Sequence, residues 1–220
     1  MNDSKMNNDF RNNEILKKPI FVLLSGPSGS GKTTMQNTLI NRYEIMPLTY
    51  YTTREPRIDD NANFRYVSYD EYLKMLEKEK FIFSFGSHNK RYGISRQEFY
   101  EHIKYFEDMI LNISYHDYFE INSKNLDNLL NIKLFILTMN DLSSSVRNRI
   151  IRRDEEINDE IVNFKVEHAI RDHNRYFTKI SPYAQDILYT DVLSEEETLS
   201  RICKPLELRL KKDHNPRSFR

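Results

Sequence analysis

The residues most able to do chemistry lie between Gly26 and Thr33, where the chain reads GPSGSGKT. This octapeptide fits the pattern G-x-x-x-x-G-K-[ST] without a mismatch. Its glycines let the backbone curl so that successive N–H groups point inward, toward a bound phosphate. Lys32 would contact the β- and γ-phosphates of a nucleoside triphosphate, and the Thr33 hydroxyl would be a ligand of Mg²⁺. The pattern therefore predicts a triphosphate-binding loop.

The segments on either side of this loop are those that the chemistry requires. An apolar run from Ile20 to Leu24 precedes the loop and is typical of a buried strand. A helix that contains Met35, Leu39 and Ile40 is expected to follow it. The positive end of that helix dipole would point into the phosphate cavity. Because a chance match would not bring a strand and a helix with it, the context favours real phosphate binding.

The remaining apolar and turn patterns predict alternating strands and helices. Ser68-Tyr69-Asp70-Glu71 and Ser194-Glu195-Glu196-Glu197 have the capping-box pattern that opens a helix. Strands are expected over 48–53, 66–67, 81–85, 109–115, 132–138 and 186–190, helices over 96–107, 141–154 and 158–178, and a basic loop over 88–93. Strands separated by helices imply a parallel sheet with right-handed crossovers.

The fold class that follows is α/β, with a parallel sheet flanked by helices. We expect one domain over 18–210, in which residues 53–96 form an inserted lobe and residues 149–165 a helical lid. Residues 1–17 are polar and rich in asparagine, and residues 211–220 are basic, so both are expected to be disordered tails.

Composition limits the partners of the chain. Its 33 basic and 33 acidic residues give a formal net charge of zero, so no bulk field attracts it to nucleic acid or to an anionic membrane. The sequence shows neither a signal peptide nor an apolar run long enough to span a bilayer, and its single cysteine, Cys203, suits a reducing compartment. We therefore expect a cytoplasmic protein. His168 and His173 are five residues apart, so no zinc site is expected from helical spacing.

Three segments together resemble the guanylate kinase family. They are Gly26 to Thr34, then the stretch Thr52-Thr53-Arg54-Glu55-Pro56-Arg57, then Tyr92-Gly93 before a helix. The order and spacing fit from about residue 19 to about residue 209. Many nucleotide-binding proteins share the first segment, whereas T-T-R-x-P-R about twenty residues after it is far more specific. The resemblance implies the P-loop kinase fold and transfer of phosphate from ATP, with Mg²⁺, to GMP.

The resemblance also implies a role for each matching position. Arg54, Arg57 and Tyr92 would hold the phosphate of the acceptor, a task that suits the bidentate guanidinium group. Arg149 and Arg153, one helical turn apart, match the lid arginines that stabilise charge on the transferred phosphoryl group. The ATP-binding positions would be Gly26, Ser28, Gly29, Ser30, Gly31, Lys32, Thr33 and Thr34.

The acceptor pocket departs from the family pattern. Residues that hydrogen-bond guanine are replaced by Tyr50, Phe83 and Ile94, a tyrosine of the phosphate site by Phe64, and two aspartates by Asn112 and Ser114. These changes predict a more apolar and narrower pocket. GMP would then be either a poor substrate or bound through residues outside the family pattern, because a purine edge without partners is costly to bury.

The sequence therefore predicts an ATP-dependent nucleoside monophosphate kinase that is a monomer or a homodimer. Two alternatives stay open at this stage. One is a kinase of the same fold that acts on another phosphorylated small molecule. The other is a non-catalytic binding module. The changes at Asn112 and Ser114 favour this alternative, whereas the intact Lys32 and Thr33 argue against it.

Overall fold

The computed structural model describes residues 18–56, 63–87, 90–153 and 158–211. Both predicted tails fall largely outside this part of the chain, as do residues 57–62 of the predicted lobe and residues 154–157 of the predicted lid. The strands are β1 (Ile20–Ser25), β2 (Met46–Pro47), β3 (Tyr50–Thr52), β4 (Phe64–Tyr66), β5 (Phe81–Ser87), β6 (Lys90–Ser95), β7 (Met109–Ile113), β8 (Asn131–Thr138) and β9 (Asp186–Tyr189). The helices are α1 (Lys32–Arg42), α2 (Tyr69–Glu77), α3 (Arg96–Lys104), α4 (Asp117–Asn122), α5 (Leu142–Arg153), α6 (Asp159–Ile180) and α7 (Glu195–Cys203).

The central sheet is parallel throughout and has the strand order β2-β7-β1-β8-β9. Every residue of β1 is buried, as expected for a strand covered on both faces. Ile20, Val22 and Leu24 pack with residues of α1 and α7. Phe21 and Leu23 alternate with them and face the other core. The parallel α/β fold that the sequence predicted is therefore confirmed.

A second sheet of order β4-β3-β6-β5 forms the lobe. Its strands β3, β6 and β5 are antiparallel neighbours, whereas β4 is parallel to β3. The sequence predicted one strand over 48–53, whereas only Tyr50–Thr52 form a strand, β3 of the lobe sheet. The central-sheet strand β2 ends just before this stretch, at Pro47. The sequence also treated 88–93 as a loop. This was wrong for residues 90–93, which belong to β6 and pair with β5, while residues 88 and 89 lie outside the described part of the chain.

Two helix starts were predicted from capping boxes, and both are confirmed. The Ser68 side chain accepts a hydrogen bond from the Glu71 backbone, and the Glu71 carboxylate accepts one from the Ser68 backbone in return. Ser194 and Glu197 make the same reciprocal pair before α7. Each box satisfies two N–H groups that the first helical turn would otherwise leave without partners.

Candidate active site

The loop after β1 has the geometry that its glycines permit. Gly26 has φ +148°, and a Cβ atom built there would lie 2.0 Å from the Leu137 carbonyl oxygen. Gly31 caps α1 in the left-handed region at φ +88°. A side chain at Gly26 would therefore clash with β8, and one at Gly31 would strain the turn that points α1 at the cleft.

Two cations lie against this loop. The Lys32 Nζ donates to the carbonyl oxygens of Gly26 and Pro27, at 2.7 and 2.8 Å. The Arg149 Nη1 of α5 donates to the Gly29 carbonyl at 2.7 Å, and its Nη2 donates to the Thr190 carbonyl at 2.7 Å. Burial lowers the pKa of the Arg149 guanidinium. The second predicted lid residue, Arg153, is the last residue of the same helix.

The lobe contributes a further buried arginine. Arg54 is 6% exposed, and its guanidinium carbon lies 4.5 Å from the centroid of the Phe64 ring. Its Nη1 donates to the Glu55 carbonyl at 2.9 Å. Tyr92 lies on β6, and its ring makes an edge-to-face contact with the ring of Tyr50. Arg57, the predicted partner of Arg54, falls outside the described residues.

One cleft of about 860 Å³ lies between the loop and the lobe. The loop side contributes all the predicted ATP-binding residues. The lobe side contributes Arg54, Phe64, Tyr50 and Tyr92, and the end of β7 contributes Asn112 and Ser114. The structure thus brings the predicted donor and acceptor residues, within its described part, to one cavity.

Phe83 and Ile94 are the exceptions, and their assignment to the acceptor pocket was wrong. Four cross-strand neighbours, one from each strand, form a row on one face of the lobe sheet. Their order across the sheet is Phe64, Tyr50, Ile94 and Phe83. Only the first half of this row lines the cleft. Phe83 and Ile94 have no exposed surface and lie in the core, where Phe83 packs against Phe21 and Phe99.

The cleft is also more polar than the sequence predicted. Asp117, His116, Asp172, His168 and Gln36 all line it, and none was assigned to the pocket from the sequence. Asp117 accepts hydrogen bonds from both the backbone N–H and the hydroxyl of Ser114, at 2.9 and 2.5 Å. A carboxylate is therefore present next to the position where an aspartate was expected. The spacing Ser-x-x-Asp, a capping pattern, was the signal that could have found it.

The His116 imidazole beside Asp117 predicts a pH dependence of stability. The two groups lie 3.0 Å apart, and the Asp117 carboxylate raises the pKa of His116 above 6.5. Its protonation therefore stabilises the fold below pH 6.5, and this contribution is lost as pH rises through the raised pKa. We expect His116→Gln to lower the melting temperature by about 2 °C at pH 6 and by less at pH 9. Thermal unfolding across this pH range is the measurement, and a difference that does not vary with pH would contradict the pairing.

The described residues offer neither a membrane-spanning helix nor a cluster of metal-ligating side chains. No helix in this part of the chain is both long and apolar enough to cross a membrane. Among the same residues, no group of three or more histidine, cysteine or acidic side chains could hold a metal ion.

Comparison with known proteins agrees with this geometry. A family model described as guanylate kinase matches residues 17–185. A guanylate kinase of Caldanaerobacter subterraneus is 27% identical over 151 residues, which are 67% of this chain and 71% of the relative. One of Helicobacter pylori strain J99 is 28% identical over 212 residues, which are 94% of this chain and 92% of the relative.

Comparison with solved structures supports the same fold. The crystal structure of guanylate kinase from Anaplasma phagocytophilum superimposes with a TM-score of 0.63 at 16% identity, over 86% of this chain and 85% of that chain. At this identity the match bears on the fold alone, while the family model spans most of the sequence. The chain therefore belongs to the guanylate kinase family and is a nucleoside monophosphate kinase.

Proposed function

We propose that this chain transfers the γ-phosphoryl group of ATP, in the presence of Mg²⁺, to GMP. The observation that carries the proposal is the single cleft that Lys32 lines from one side and Arg54 and Tyr92 from the other. A phosphate held by Arg54 would face a triphosphate held by the loop. Such positioning, with charge stabilisation, supplies most of the catalysis in phosphoryl transfer.

The donor side would be formed by the loop and by α5. Loop N–H groups and Lys32 would hold the β- and γ-phosphates, and both hydrogen bonds that Lys32 donates to loop carbonyls would be exchanged for phosphate contacts. Thr33 is exposed in the cleft one residue later, so its hydroxyl is suitably placed for Mg²⁺. The ion would neutralise charge on the phosphates when bound. Arg149 and Arg153 would stabilise charge on the group in transfer.

The acceptor side would be formed by the lobe. Arg54, Arg57 and Tyr92 would bind the phosphate of GMP. The Arg54 guanidinium is already oriented by the Phe64 ring beneath it, so little rotamer freedom is lost on binding. Since Phe83 and Ile94 do not line the cleft, the base would meet residues outside the family pattern, among them Ser114 and Asp117. A carboxylate such as that of Asp117 can accept the two N–H groups on the guanine edge.

A coupled assay of ADP release with a panel of acceptors tests the function. The panel is GMP, dGMP, AMP, UMP and ribose 5-phosphate, each with saturating ATP and Mg²⁺. We expect GMP to give the highest kcat/KM, at least roughly tenfold above AMP, because the polar groups of the cleft favour a base that offers several donors. Ribose 5-phosphate as the best acceptor would favour a kinase of another phosphorylated small molecule. No ADP release with any acceptor would favour the non-catalytic binding module.

A further inference from the structure

Gln36 and Asn112 meet at the floor of the cleft. Gln36 lies on α1, one turn after Lys32, and is only 3% exposed. Asn112 lies on β7 beside Leu24 of β1. The Asn112 Nδ2 donates to the Gln36 Oε1 at 2.6 Å, so two neutral amides from different elements are joined. A glutamine among the buried residues of α1 is unexpected beside Met35 and Leu39, which are apolar.

This amide pair keeps unused hydrogen-bonding capacity. Gln36 Nε2 and Asn112 Oδ1 are buried, and neither has a hydrogen-bond partner among the described residues. If nitrogen and oxygen were exchanged in both amides, the direction of the hydrogen bond between them would be reversed. One NH₂ group and one carbonyl oxygen would still have no partner. The pair therefore offers one donor and one acceptor, whichever way the amides are oriented. Buried groups of this kind are normally satisfied by a partner.

The pair lies where α1, the end of β7 and the lobe come together. The backbone carbonyl oxygen of Asn112 accepts a hydrogen bond from the Tyr50 hydroxyl, which links the end of β7 to the lobe. Lys32 lies one helical turn away on the loop side. Both Gln36 and Asn112 line the same cavity as Arg54. A molecule whose phosphate is bound by Arg54 would therefore occupy the cavity that this pair lines.

The unpaired NH₂ group and carbonyl oxygen of the two amides limit what the pair can bind. A phosphate oxygen would suit the Gln36 NH₂ group but would be repelled by the Asn112 carbonyl oxygen. A magnesium ion would suit the carbonyl oxygen but not the NH₂ group. A neutral group that both accepts and donates a hydrogen bond satisfies both atoms. A sugar hydroxyl and the C=O/N–H edge of a nucleobase share this chemistry.

We propose that Gln36 and Asn112 bind such a neutral donor–acceptor group of the phosphate acceptor, and so help to select it. This inference rests on the proposed function, because it concerns the same acceptor. It assigns to Gln36 a role in specificity that the family pattern does not suggest. The pair acts as one unit, since loss of either amide leaves the other with an unmatched polar group.

Steady-state kinetics of three variants test the inference. The variants are Gln36→Met, Asn112→Leu and the double variant, which keep side-chain volume and remove the amides. Leu39→Met, one turn further along α1 and buried in the opposite core, is the matched control. We expect each single variant to lose roughly ten- to hundredfold in kcat/KM for GMP, with the KM for ATP unchanged. The double variant should lose less than the product of the single losses, because the two residues are coupled.

The acceptors dGMP and ribose 5-phosphate separate the two sources of the bound group. If the pair binds the base edge, GMP and dGMP lose equally and ribose 5-phosphate loses nothing. If it binds the 2′-hydroxyl, GMP and ribose 5-phosphate lose and dGMP does not. Unchanged kcat/KM for all three acceptors, or a matching rise in the KM for ATP, would overturn the inference.

Two measurements keep this result separate from failure of the proposed function. Thermal unfolding shows whether each variant folds, and should Asn112→Leu fold poorly, Gln36→Met alone decides. Wild-type protein without turnover on any acceptor would overturn the proposed function. The dissociation constant of GMP, measured by calorimetry without ATP, would then decide the inference, and a constant that neither substitution changes would overturn it.

Discussion

Replacing Lys32 with alanine is expected to abolish phosphoryl transfer and leave the fold intact. The Lys32 ammonium group would stabilise charge that develops on the transferred phosphoryl group, and single preorganised donors of this kind contribute about 10²- to 10³-fold to rates. Lys32 donates hydrogen bonds to two loop carbonyls. Lys32 is only partly buried, so water can replace those bonds at small cost to stability.

The measurement is ADP release under saturating ATP and acceptor, with a thermal melt of the same samples. Lys124→Ala is the matched control, because Lys124 pairs with Glu120 just after α4 and does not line the cleft. The control should keep wild-type turnover. If Lys32→Ala keeps more than about a tenth of wild-type turnover, the loop is not the catalytic centre.

Replacing Arg54 with alanine is expected to raise the KM for the acceptor and lower kcat, with the KM for ATP nearly unchanged. Arg54 belongs to the lobe and lies over Phe64, on the side of the cleft away from the loop. Charge-assisted hydrogen bonds contribute about 1.5 to 3 kcal/mol each, so loss of a bidentate contact should reduce kcat/KM by roughly 10²-fold. Arg54→Lys should recover only part of this loss, because lysine has a point charge and no fork.

Arg65→Ala is the control for a general change of charge in the lobe. Arg65 is exposed on β4 and alternates with Phe64, so its side chain points away from the row that borders the cleft. Its substitution should leave both KM values near those of the wild type. An equal weakening of ATP binding by Arg54→Ala would place Arg54 on the donor side and contradict the proposed division of roles.

The sequence alone determined those features that depend on local backbone chemistry. The loop from Gly26 to Thr33 was predicted because glycine positions and an adjoining strand and helix leave little freedom there. The capping boxes at Ser68 and Ser194 were predicted because each is formed by residues three apart. The parallel central sheet followed from buried strands separated by helices, whose connections have a preferred hand.

Only the tertiary structure decided how deeply each side chain is buried. Tyr50 and Ile94 are direct neighbours on two adjacent strands. From the sequence pattern alone, the same environment is expected for both side chains. Both belong to the same core cluster, but Tyr50 also lines the cleft and Ile94 does not, because the central sheet and α3 cover only part of the lobe sheet. Burial of this kind depends on contacts between segments far apart in the chain, which periodicity does not encode.

The same reason explains which polar residues were missed. Gln36 and Asn112 are 76 residues apart in sequence, and they become a pair only when α1 packs against β7. Asp117 lies at the cleft because its carboxylate accepts two hydrogen bonds from Ser114, next to the end of β7. The types and order of these side chains were visible in the sequence, whereas their convergence on one cavity is a property of the packed sheet and helices.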